Sequence, residues 1–82
     1  MNIRISDISL NTTDVEIRKL FSHYGSVDSA TVNRNALNGR SLKSGYVNMP
    51  VEAQARQAIV SLNKTLFNGE IISVSEQASE YY

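Results

Sequence analysis

The stretch SLKSGYVNMP, Ser41 to Pro50, holds one aromatic ring, Tyr46, among small and polar side chains, with Gly45 beside it. A ring exposed on a strand can stack on the flat face of a base, or it can simply pack on the sheet surface or under the C-terminal tail. Arg4, within NIRIS, carries a guanidinium plane that can stack as well as pair with phosphate. Arg34, Arg40 and Lys43 surround a loop containing Asn38-Gly39 and make a candidate phosphate patch. Groups of this kind bind. Catalysis needs others: a histidine–carboxylate–nucleophile set, a glycine-rich phosphate loop or a metal-ligand cluster, none of which the spacing spells out. His23, the single histidine, falls off the apolar stripe of its segment and reads as a solvated side chain. The sequence therefore predicts no enzyme, no metal and no cofactor.

Eighty-two residues, 41% hydrophobic and 20% charged, are enough for one small folded domain. With no cysteine, disulfides and thiolate metal sites are excluded, which fits a reducing, cytoplasmic setting. No apolar run approaches the roughly 20 residues that cross a bilayer, and MNIRISDISL lacks the pattern of a signal peptide, so no membrane partner is expected. Eight basic and eight acidic residues cancel. Phosphate neutralisation dominates non-specific nucleic-acid affinity, so any such binding must come from local clusters.

Stepwise along the chain, Ile3 and Ile5 alternate with Arg4, the period of a half-buried strand. Thr13 and Glu16 form a capping box, after which Ile17, Leu20, Phe21 and Tyr24 share one helical face and Gly25 ends the helix. Val27, Ala30 and Val32 mark a second strand with an irregularity. The third strand sets Val47 and Met49 against Ser44, Tyr46 and Asn48. Pro50 is expected to open a second helix, with Val51, Ala55, Ala58, Ile59 and Leu62 on its stripe. Phe67 precedes a turn at Asn68-Gly69 and should plug the core edge. In EIISVS, Ile72 and Val74 point inward.

The predicted order is βαββαβ, an α+β, ferredoxin-like fold. It is a four-stranded antiparallel sheet with both helices packed on one face. The other face is expected to present Arg4, Ser6, Thr31, Asn33, Leu42, Ser44, Tyr46, Asn48, Ile71 and Ser73. The domain should span residues 1–76, and the polar residues 77–82 should form a flexible tail that either hangs free or covers the sheet. Ordinary ion pairs of Arg4 with Asp7, Glu70 or Glu76 would be the bland alternative for that residue.

The segments NTTDVEIRKLFSHYGSV, GRSLKSGYVNM, AQARQAIVSLN and FNGEIISV, in this order and spacing, resemble the RNA recognition motif, particularly its small single-domain bacterial members. The resemblance runs from Asn2 to about Glu76. The family's six-residue motif falls on IRISDI, where Arg4 stands at a usual stacking aromatic. Its eight-residue motif falls on LKSGYVNM. Leu42 there replaces a basic residue, Lys43 a glycine and Ser44 an aromatic, while Tyr46 keeps the stacking position. A one-residue bulge would turn Lys43 toward the phosphate role that Leu42 lacks.

The resemblance implies binding of single-stranded RNA, with single-stranded DNA as a ligand of the same chemistry. Tyr46 and Arg4 would stack on bases, Ser44, Asn48, Asn33 and Ser73 would hydrogen-bond base edges, and Arg40 and Lys43 would hold phosphates. Each lost stacking platform removes about 1–3 kcal/mol, so weak binding is expected, with a post-transcriptional regulatory role by analogy. The competing reading is a protein-interaction or self-association module, through the sheet face or a helix, suggested by Leu42, Ile71 and the zero net charge.

Overall fold

Ile3 and Ile5 are fully buried while Arg4 between them is exposed, as the alternation requires. In the computed structural model, which describes residues 1–77, this strand is β1, Asn2–Ser6. The capping box forms as expected at the start of α1, Asp14–Ser22: Thr13 Oγ1 accepts from the Glu16 N–H at 3.3 Å, and Glu16 Oε1 accepts from the Thr13 N–H at 3.0 Å. Two otherwise orphaned amides are thereby satisfied. Ile17 and Phe21 are buried, and Leu20 and Tyr24 pack partly buried against the same core. The helix stops three residues before Gly25, with His23 as its C-cap. Gly25 has φ +152, and a Cβ there would collide with the Gln54 side chain, whose Oε1 accepts from the Ser26 N–H at 3.0 Å.

β2, Ser29–Arg34, and β3, Ser41–Asn48, pair antiparallel, with a shift between Val32 and Arg34 that leaves extra residues on β3. Lys43 lies in that irregularity at φ +61, but the register slips by two residues where a one-residue bulge was expected. The second helix, α2, begins at Glu52, not at Pro50. Val51 is its N-cap in an extended conformation, which carries its side chain off the stripe and leaves it exposed. Ala55, Ala58 and Leu62 do face the core, with Ile59 partly buried beside them.

The expected last strand is two pieces. Asn68 and Gly69 have φ +51 and +83, the requirement of a two-residue type I′ hairpin, and they fold β5, Glu70–Ile71, back on β4, Leu66–Phe67. Ile71 is therefore the partner of Leu66 in a separate ribbon, and its expected place on the open sheet face is wrong. Phe67 does pack against the core edge. After Ile72, β6, Ser73–Glu76, pairs antiparallel with β1. The sheet order is β2-β3-β1-β6, with every pairing antiparallel. One parity of its strands (Ile3, Ile5, Val32, Val47, Val74) forms a single buried cluster with the apolar residues of both helices. The tail and its tyrosines, Tyr81 and Tyr82, lie outside the described residues, apart from Gln77.

Candidate nucleic-acid interface

Gly45 answers the absence of bulk beside Tyr46. It is buried on the core-facing parity, and a Cβ there would meet the Thr31 carbonyl oxygen at 2.5 Å. Bare backbone lets β2 and β3 close up and leaves Tyr46 facing outward, 38% exposed. Register then assembles a row across the sheet: Thr31 opposite Tyr46, Tyr46 opposite Arg4, and Arg4 opposite Ser75. To one side lie Ser44, Ser6 and Ser73, and to the other Ser29, Asn48 and Asn2.

Several polar groups expected to read base edges already have partners. Asn33 Nδ2 donates to Ser44 Oγ at 3.2 Å, and Asn48 Nδ2 donates to Asn2 Oδ1 at 2.6 Å. Each amide keeps its carbonyl oxygen and a second N–H for a ligand. Ser73 is more committed. Its hydroxyl accepts from Lys64 Nζ at 3.0 Å and donates to Asp7 Oδ2 at 3.2 Å. Lys64 was not singled out from the sequence, since nothing local shows that a residue following α2 reaches the rim of the sheet. Asn2 and Ser75 were missed for the same reason: their neighbours are set by pairing.

Charge is sorted between the two sides of the molecule. Arg4 is the charged residue at the outward strand positions, and among the described residues no carboxylate stands there; Asp7 sits at the rim. Glu76 is the Cα partner of Ile3, so it faces the helix side and cannot be the partner of Arg4 that the bland reading offered. There it adds to the hydrogen bond and charge of Glu52, the larger causes, in raising the Arg56 pKa. The ion pair found among the described residues is Arg56–Glu52, on α2. Arg34 and Arg40 come together on one open groove, and Lys43 lies outside its lining. His23 sits exposed on the helix side, its Nδ1 2.8 Å from the Lys19 carbonyl oxygen.

Two helices on one face of a four-stranded antiparallel sheet, with the Tyr46 ring and polar side chains at the described strand positions of the other, make a ferredoxin-like domain. Residues 3–73 match the RNA recognition motif family, and the chain belongs to it. It is 35% identical over 98% of its length to a cytoplasmic and nuclear polyadenylate-binding protein of Chaetomium globosum, of which it spans 10%. The crystal structure of RNA Binding Protein PG1 superposes with a TM-score of 0.94 at 32% identity, covering 100% of this chain and 99% of that one. The Sex-lethal RNA recognition domains 1 and 2 from Drosophila melanogaster share the fold, with a TM-score of 0.89 at 24% identity over 96% of this chain and 50% of that one.

Proposed function

We propose that this chain binds single-stranded RNA weakly, through the open sheet face, as a small post-transcriptional regulator. The observation that carries this reading is the side-by-side placement of Tyr46 and Arg4 on a face whose described strand positions hold no carboxylate, with Asp7 at its rim. Tyr46 stacks on one base and the Arg4 plane takes its neighbour. Ser44, Asn48 and Asn33 offer their remaining donors and acceptors to base edges, Ser73 acts through its Lys64 partner, and Arg40 and Lys43 hold phosphates. Duplex RNA hides its base edges in a deep groove, so unpaired strands are the substrate class, with single-stranded DNA bound less well for lack of the 2′-hydroxyl. Two aromatic positions filled by Arg4 and Ser44 support weak affinity, in the micromolar range or above. The polyadenylate-binding and RNA-binding names of two relatives above 30% identity support RNA as the ligand. A cytoplasmic location goes with the absence of cysteine.

Amide chemical-shift mapping with a pool of short single-stranded RNAs tests the proposal. Shifts on the four sheet strands and the β2–β3 loop, with those around Tyr46 lost in Tyr46→Ala, are the expected result. Shifts on the helices, or none at millimolar RNA, would end it.

One observation favours a second reading, docking of a protein partner or of another copy through the sheet. Leu42 is 56% exposed on β3. The removal of Ile71 from that face leaves Leu42 a smaller apolar patch than the sequence promised. Light scattering that shows a concentration-dependent dimer abolished by Leu42→Glu would establish this alternative.

A further inference from the structure

Ser73 on β6 is the Cα partner of Ser6 on β1 and shares the outward parity of Arg4, about 7 Å farther along β1. Its hydroxyl lies between opposite charges: Lys64 Nζ donates to it at 3.0 Å, and it donates to Asp7 Oδ2 at 3.2 Å. The two charges do not close on each other. Among the described residues the ion pair is Arg56–Glu52, so a single hydroxyl group holds Lys64 and Asp7 apart. Both residues are exposed.

The backbone that carries the two charges is unusual. Asp7 has φ +60 and Lys64 φ +63, in a region that aspartate enters readily and lysine rarely. Lys64 is fixed on both sides. Its N–H donates to the Ile72 carbonyl at 2.8 Å, and Oδ1 of the preceding Asn63 accepts from the Val74 N–H at 2.9 Å. The connection after α2 is thus clamped to β6, and it delivers an ammonium group to the rim of the outward face. Backbone strain over-determined by its surroundings is concentrated at binding sites.

These groups retain bonding capacity. Lys64 keeps two N–H donors, and Asp7 keeps Oδ1 together with a lone pair on Oδ2. A cationic donor beside a two-oxygen acceptor fits one base best. The Watson–Crick edge of guanine sets the O6 carbonyl next to two adjacent N–H groups, at N1 and N2. Uracil has one N–H between two carbonyls, so a carbonyl would face the carboxylate. Adenine and cytosine each present one amino group beside an unprotonated ring nitrogen. Guanine alone gives a carboxylate two parallel hydrogen bonds while its carbonyl accepts from an ammonium group.

We propose that Asp7 and Lys64 read a guanine at the β1–β6 rim. Asp7 accepts from N1–H and N2–H, Lys64 donates to O6, and Ser73 is the positioning residue that sets their separation. The proposal rests on the sheet-face reading above and names its base preference, a guanine adjoining the base on Arg4. A network that merely pinned the α2–β6 connection to β1 would affect stability and leave base preference alone.

The test measures affinities for uridine pentanucleotides in which one position, taken in turn, carries guanine, inosine, adenine or cytosine. The proteins are wild type, Asp7→Gly, Lys64→Met and Tyr46→Ala, with folding checked by amide spectra. Glycine suits φ +60, so Asp7→Gly removes the carboxylate without new backbone strain. At one position guanine should bind wild type about tenfold tighter than adenine, cytosine or uracil. Inosine lacks the 2-amino group and should bind about fivefold less tightly than guanine, a gap that closes in Asp7→Gly. Lys64→Met should reduce the guanine preference and keep the gap to inosine. Each readout is a ratio between ligands of equal charge, which a change in stability or net charge does not move.

Equal binding of all bases by wild type, or a guanine–inosine gap that survives in Asp7→Gly, would overturn the proposal. So would a Lys64→Met variant that weakens every sequence alike with a salt slope lower by about 0.7, the mark of a phosphate contact. In these cases a loss on every sequence in Tyr46→Ala leaves the sheet reading standing. If Tyr46→Ala changes none of them while Asp7→Gly closes the gap, the sheet reading fails and the rim stands as a site of its own. Absence of binding by wild type removes both.

Discussion

Arg4 and Tyr46 are direct cross-strand partners between β1 and β3, so a guanidinium plane and the ring of the outward sheet surface stand side by side. Opposed residues in an antiparallel pair have Cβ atoms about 5 Å apart. Consecutive bases of an unpaired strand can therefore occupy both. Stacking on each is a separate contribution of about 1–3 kcal/mol for a ring, and less for an exposed cation whose charge is screened.

Tyr46→Ala should weaken single-stranded RNA about 5- to 150-fold, with the unfolding midpoint unchanged because the ring lies outside the core. Arg4→Tyr should act in the opposite direction, tightening binding at least about fivefold by restoring an aromatic platform. Fluorescence anisotropy of a labelled oligonucleotide over a salt series reads both. A salt slope lower by about 0.7 in Arg4→Tyr would show that the guanidinium holds a phosphate and not a base.

Gly45→Ala should destabilise the fold by about 1–3 kcal/mol, because its methyl group meets the Thr31 carbonyl oxygen at 2.5 Å and the strands must part. In urea the midpoint should fall with the slope retained. An unchanged midpoint would mean that β2 and β3 separate more easily than their register suggests.

The Glu16 carboxyl is held below its ordinary pKa, first by the Thr13 backbone N–H and then by the Asn68 side-chain amide. A carboxyl with a depressed folded-state pKa stabilises the fold above its unfolded value, and that contribution is lost as pH falls through the lowered one. Thermal midpoints from neutral pH down into the acid range should therefore drop more steeply for wild type than for Glu16→Gln. Parallel profiles would show that Glu16 does not contribute. Thr13→Ala, which removes the reciprocal acceptor, should cost about 1 kcal/mol at neutral pH.

On each edge strand of the sheet a side chain accepts from one outward backbone amide. Asp14 Oδ1 accepts from the Val32 N–H at 2.8 Å on the free side of β2, and Asn63 Oδ1 accepts from the Val74 N–H at 2.9 Å on the free side of β6. Unpaired edge amides invite pairing with another chain. Asp14→Ala should lower stability by about 1–2 kcal/mol and promote self-association visible by light scattering at high concentration. A variant that stays monomeric and equally stable would show that water serves the edge as well.

Much of this protein could be read from local pattern. The Thr13–Glu16 capping box, the burial of Ile3, Ile5, Ile17 and Phe21, and the exposure of Tyr46 all follow from spacing within a few residues, where strand and helix periods act. Errors began where a pairing had to be known. Ile71 has the right parity for the sheet face, but the Asn68-Gly69 turn sets it opposite Leu66. Val51 matches the helical stripe, but its role as N-cap leaves it extended.

Which residues become neighbours was decided only in three dimensions. Arg4 beside Tyr46, Glu76 turned to the helices, Ser73 held between Lys64 and Asp7, and Leu10 across from Arg34 and Arg40 all join segments distant in the chain. Sequence by itself determined the elements and the side each residue takes, because backbone geometry repeats over two or 3.6 residues. Register, the slip at Lys43 and the turn at Asn68-Gly69 determined the partners, because they depend on how strands meet and no local period encodes that.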